Sequence, residues 1–220
     1  NPEFYDIVAA LASRAGLPMP RVAISPSEQP NAFATGRGPN KAVVCATEGL
    51  LRAMPRHEIE AVMAHELMHV KHRDILIGSV AAAISTAISY IAQMAMFASM
   101  FGGGRDDEDR PNPFAMLLMS LLAPVAASLI QMAVSRSREF EADRGAAQLL
   151  GSGESLASAL ERIEVLAARA PMAVAPAQAY AYIHNPLNEF RGGRNASMAR
   201  LFSSHPATEE RIARLRSMTF

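Results

Sequence analysis

Two stretches without a formal charge, Ile75–Phe101 and Phe114–Val134, constrain this chain more than any other feature. Each is long enough to cross a hydrocarbon core of roughly 30 Å as a helix, for which about 20 apolar residues suffice. Only Gln131, a few hydroxyls and Pro124 interrupt the second. The competing reading, two buried core helices, is disfavoured in a domain this small. Charge placement supports a membrane hairpin. Lys71, His72 and Arg73 flank its start, Arg136 and Arg138 flank its end, and the linker GGGRDDEDRPNP is net acidic. The positive-inside rule puts both ends in the cytoplasm. Three parts are therefore expected: residues 1–74, the hairpin 75–134, and residues 135–220.

The remaining signals are those of an ordinary fold. A helix is predicted over 3–15, closed by Gly16 and Pro18, then strands over Arg21–Ile24, Asn31–Thr35 and Lys41–Cys45. Thr47 caps a short helix, and Pro55 opens a long one through Asp74. Further helices are predicted over 135–150, 154–170 and 207–218, with loop over 172–204 and no internal repeat. A formal net charge of zero speaks against a nucleic-acid partner. The single Cys45 excludes an internal disulfide and a Cys-only metal site, and fits a reducing compartment. The chain starts at Asn1 without methionine or signal segment, so a fragment lacking N-terminal targeting or membrane segments is expected.

Within the long helix stands His65-Glu66-Leu67-Met68-His69. A spacing of four puts both imidazoles on one face, one turn apart, where they can share a tetrahedral metal. Glu66 lies about 100° round the helix and can reach a water beside that metal without becoming a ligand, the position a general base needs. Composition alone yields such a pattern in about one chain of this length in a hundred, so a third ligand is required. His72 and His57 share roughly the same face, but the rise from His65 to His72 is about 10 Å, too far to surround one ion. Glu139 is better placed. It opens Glu139-Phe-Glu-Ala-Asp143, a helical turn in which Glu139 and Asp143 share a face and Glu141 points elsewhere. Glu139 could complete a His₂Glu site, and Asp143 could accept the free ring N–H of a ligand His. The plainer alternative is a solvated, charged helix start. Topology shifts the balance towards the ligand: a hairpin returns the chain to the side it left, so His69 and Glu139 emerge together at one membrane face.

At this point the sequence resembles the HtpX-type membrane zinc metalloproteases, relatives of the CAAX prenyl protease and of Oma1-like proteases. The matching residues are Asn31-Ala-Phe-Ala-Thr-Gly36, HELMHVKHRD, SRSREFEAD, Ser204-His205-Pro206 and Glu210-Arg211-Ile212, in family order over nearly the whole chain. The resemblance implies one Zn²⁺ held by His65, His69 and Glu139, with Glu66 as catalytic base. It implies an α+β fold, a mainly helical gluzincin-like core with a small β-sheet and an inserted transmembrane helical hairpin. It further implies a stress-response endopeptidase for misfolded or membrane proteins, multi-pass in a bacterial inner membrane and catalytic towards the cytoplasm. Protein substrates and the lipid bilayer are then its partners. Relatives usually begin with two more hydrophobic spans, which would lie before Asn1 here.

His205 before Pro206 reads from residues alone as a turn residue; the resemblance makes it a donor to the tetrahedral oxyanion. Arg138 receives no role. The strand that starts Asn31-Ala32-Phe33 could be an exposed edge to which an extended substrate adds, or an ordinary core strand. Asn195-Ala-Ser197 matches a glycosylation acceptor that means nothing in a cytoplasmic domain. Two rivals remain. A non-catalytic membrane scaffold would lack Glu66, which is present. An intramembrane site-two-type protease would bury its motif in a span, whereas His57, Glu58, Glu60, Lys71 and Arg73 surround this one.

Overall fold

Capping chemistry sets the first helix. In the computed structural model, which describes residues 1–101, 113–169 and 206–220, α1 (Pro2–Ala15) starts where the Asn1 side chain accepts from the Phe4 N–H at 3.2 Å. It ends at Gly16 in the left-handed conformation, φ 68°. Its buried face, Phe4, Ile7, Val8 and Leu11, packs on α3 (Arg56–His72). Between them lie β1 (Arg21–Ser25), β2 (Ala32–Thr35), β3 (Val43–Thr47) and α2 (Glu48–Ala53). The strands form a mixed sheet in the order β1-β3-β2, parallel between β1 and β3 and antiparallel between β2 and β3. β2 is thus an edge strand.

The third strand starts two residues later than predicted, because Pro39–Lys41 first wind into a 3₁₀ turn. Thr47 then does two jobs. Its hydroxyl oxygen accepts from the Leu50 N–H at 3.2 Å, capping α2, and from the Asn31 N–H at 2.9 Å, anchoring the start of β2.

α3 is the axis of the fold. Residues 61–68 are buried without a break, since α1, β2, α5 and α6 cover the helix on different sides. A helix buried all round shows no polar stripe. It does not run on to Asp74 as its sequence suggests. It stops at His72, and Arg73 adopts φ 57°, the one non-glycine among the described residues with positive φ. Such a conformation is strained for a residue with a Cβ. Asp74 then starts α4 (Asp74–Phe101).

α4 and α5 (Pro113–Leu150) lie side by side, and Ser85 Oγ donates to the Ala127 carbonyl at 3.3 Å between them. Both are long and apolar enough to cross a membrane. Their outward side chains face away from the protein: Ile84, Tyr90, Ile91, Leu121 and Ile130 are each more than half exposed. Water would not tolerate an apolar surface of this extent on a monomer. α5 continues past its apolar part as one helix to Leu150, and Gly151 ends it in the left-handed conformation. Its second half crosses α3 closely. A Cβ on Gly145 would lie 2.8 Å from Met68 Cγ, so glycine there lets Met68 pack against α5 without shifting. α6 (Glu154–Arg169) and α7 (Thr208–Ser217) close the core. The architecture is mostly helical with a small mixed sheet. The 102–112 linker, the 172–204 stretch and His205 fall outside the described residues.

Candidate metal centre

The crossing of α3 and α5 brings three ligand-type side chains to one point. His65 Nε2 and His69 Nε2 are 3.0 Å apart, their rings nearly perpendicular at 89°. Glu139 closes the triangle, with Oε2 3.6 Å from His65 Nε2 and Oε1 3.7 Å from His69 Nε2. Bonds of 2.0–2.1 Å to a tetrahedral zinc would set neighbouring donors about 3.3 Å apart, so the spacing of these atoms fits such an ion.

The outer contacts orient the rings. His65 Nδ1 is 2.9 Å from Asp143 Oδ1, a charge contact rather than an aligned hydrogen bond. His69 Nδ1 is 2.6 Å from Asp74 Oδ2. Each carboxylate holds the Nδ1 side of its ring and leaves Nε2 turned inward, the usual arrangement behind a metal-ligating histidine. Arg211, from α7, donates to both oxygens of Asp143 at 2.8 and 2.7 Å, and its Nη1 is 3.4 Å from Glu139 Oε2.

Charge balance is a second, independent test. Glu66, Asp74, Glu139 and Asp143 are all buried, against one buried guanidinium, Arg211. Uncompensated buried charge is costly, and a divalent cation among the candidate ligands would offset most of this acidic excess. Protonation responds in the same sense. Burial would lower the His65 imidazole, but Asp143 and Glu139 outweigh it and push it up to about 9. Burial raises the Glu66 carboxyl, although His69, His65 and the Ala34 backbone N–H oppose that shift. Burial would also raise Asp143, yet Arg211 holds it down at about 2.

Other sequence candidates are elsewhere. His57, His72 and Glu141 are exposed, away from the triangle. The strand that the sequence offered for substrate is placed unevenly. Ala32 is in the core, Phe33 is half-buried, and the Asn31 carbonyl accepts from the Thr47 N–H at 2.9 Å. What β2 turns to the site is its backbone at Ala34, which faces Glu66. Two residues beside the candidate ligands were not found from sequence. Asp74 carried a signal, as the one charge at the head of an otherwise uncharged helix. Arg211 sat in a motif without an assigned role.

The model of Peptidase family M48 matches residues 1–219. The chain is 55% identical to a Protease HtpX homolog of Ralstonia nicotianae, over 99% of this chain and 74% of that protein. It is 54% identical to homologs of the same name from Burkholderia mallei and Burkholderia thailandensis, with the same coverage. Among solved structures it is similar to S. mikatae Ste24p, with a TM-score of 0.58 and 23% identity. That likeness covers 96% of this chain and 49% of the other, about half its length, and speaks for the fold.

Proposed function

We propose that this chain, which belongs to peptidase family M48 and is a membrane metalloprotease, is a zinc endopeptidase using His65, His69 and Glu139 as ligands and Glu66 as base. One observation carries the proposal: two histidines of α3 and a glutamate of α5, which flank an apolar helical pair in the sequence, converge within 4.8 Å at one end of it. A bound zinc supplies Lewis acidity, lowering the pKa of water towards about 7 and polarising a carbonyl. Glu66 receives the proton of the attacking water on its carboxylate, then delivers it to the departing amide nitrogen. Its burial raises its basicity for the first step. Asp143 and Asp74 hold the ring orientations, and Arg211 holds Asp143.

The open edge of β2 supports an extended substrate running alongside Ala34, with backbone recognition rather than side-chain recognition. His205 stays in the proposal as the oxyanion donor on the resemblance alone. We assign the fold a gluzincin-like core split by a transmembrane hairpin, with parts at 1–74, 75–134 and 135–220. Both ends of the hairpin then lie on the cytoplasmic side of a bacterial inner membrane, where misfolded or membrane proteins are the substrates.

Two experiments test this. Purified protein should hold one zinc per chain and cleave casein, and a chelator should abolish both; cleavage that survives complete metal removal overturns the mechanism. In the same assay Glu139→Ala should lower zinc content sharply and Glu141→Ala should not, since only Glu139 is buried in the triangle. For topology, cysteines placed singly at Gly103 and Ser137, with Cys45 replaced, should label from opposite faces of intact membranes. Labelling from one face would remove the hairpin.

A further inference from the structure

His69 lies in the last turn of α3, and the junction between that helix and α4 is unusual. Arg73 is held at φ 57°, and its N–H bonds to the Val70 carbonyl at 3.2 Å. The consequence is positional. Had α3 continued straight, residue 74 would sit about 140° round the helix from residue 69 and 7.5 Å further along, out of reach. The left-handed residue folds Asp74 back, so that Oδ2 meets His69 Nδ1 at 2.6 Å.

Asp74 is in turn gripped from α5. Arg138 Nη1 donates to the Asp74 carbonyl at 2.9 Å. Gly78, one turn into α4, leaves the space for that guanidinium, since a Cβ there would lie 3.0 Å from Arg138 Nη1. Arg138 immediately precedes Glu139 in the chain. The packing of the two apolar helices at their base therefore fixes the carboxylate behind one ligand through the neighbour of another.

The geometry points to Asp74 and Arg138 as positioning residues that make the metal centre depend on the α4–α5 contact. This rests on the ligand assignment proposed above. Asp74 holds the ring of His69, and Arg138 holds Asp74. Loosening α4 from α5 then loosens the metal, with no ligand altered. A carboxylate behind a metal-bound histidine typically contributes 10–100-fold in metal affinity.

The experiment uses the full chain in detergent or nanodiscs, with zinc affinity measured by competition against a chromophoric chelator. Melting temperature is recorded with and without zinc. Asp74→Asn should weaken zinc about 10–100-fold, and Arg138→Gln should weaken it in the same direction. The double variant should be little worse than the poorer single one, because both act through one contact. The zinc-induced rise in melting temperature should shrink while the metal-free value stays near wild type. A purely structural role would lower the metal-free melting temperature and leave zinc affinity unchanged, which overturns the proposal. Additive losses would overturn the link through Arg138. A wild type that binds no zinc, or binds it equally well as His65→Ala, would instead overturn the ligand assignment itself.

Discussion

Glu66→Gln is expected to keep the fold and the zinc and to lose hydrolysis, by about 10²–10⁴-fold in rate. Glu66 is buried on α3 beside both histidines, yet it is no member of the ligand triangle. The amide has nearly the shape of the carboxylate and makes no demand for space. What it lacks is an oxygen that can take a proton. The raised pKa of Glu66 brings it nearer the operating pH, where a base is most effective. Zinc content, melting temperature and single-turnover cleavage on one preparation decide the matter. Wild-type turnover by a folded, zinc-loaded Glu66→Gln protein would mean that another group is the base.

The largest effect on stability is expected from Arg211→Met. Arg211 is buried and pairs bidentately with buried Asp143 while lying against Glu139. Removing one partner of a buried pair strands the other charge, at a cost of about 3–5 kcal/mol. Arg211→Lys should recover only part of it, since an ammonium cannot engage both carboxylate oxygens in one plane. The pH dependence has a definite sign. Asp143 is depressed to about 2 from an ordinary 3.8, so its ionised form contributes stability above about pH 4 that is lost as pH falls through 2. Without the guanidinium, that loss should arrive at higher pH. Chemical denaturation at pH 7, together with an acid titration followed by circular dichroism, checks both statements. A change below about 1 kcal/mol would show that Asp143 is neutral or solvated.

The legible parts of this fold are those written within a few residues. The Asn1 and Thr47 caps, the apolar face of α1 and the spacing of His65 and His69 all lie inside one or two helical turns. Glu139 required a longer step, and the uncharged runs supplied it by bringing distant segments to one face. What stayed hidden depended on contacts across the molecule. Arg211, Arg214 and Arg216 look alike in a basic helix, yet Arg211 alone of the three is buried, because Asp143 is opposite it. The turn at Arg73 was equally silent. No glycine or asparagine announces a left-handed residue there, and only the carboxylate–imidazole contact it produces explains the departure. The start of β3 was misplaced because local β-propensity at Lys41–Val44 does not record the 3₁₀ turn before it. Likewise α5 runs unbroken through Pro124 and past its apolar part, where charge pattern alone suggests a joint.

On the proposed mechanism, the division of the ligands between α3 and α5 has a consequence in time. Seventy residues separate His69 from Glu139, and another seventy-two separate Glu139 from Arg211. At about 5–20 residues per second, a ribosome needs roughly 4–14 s for each interval. During the first, the emerging chain carries two histidines and a base but cannot close the ligand triangle. During the second, it has all three ligands but lacks the cation that neutralises Asp143. On that mechanism a peptidase assembled in this order stays inert while it is being made, and is expected to become competent only after both apolar helices have left the ribosome and paired.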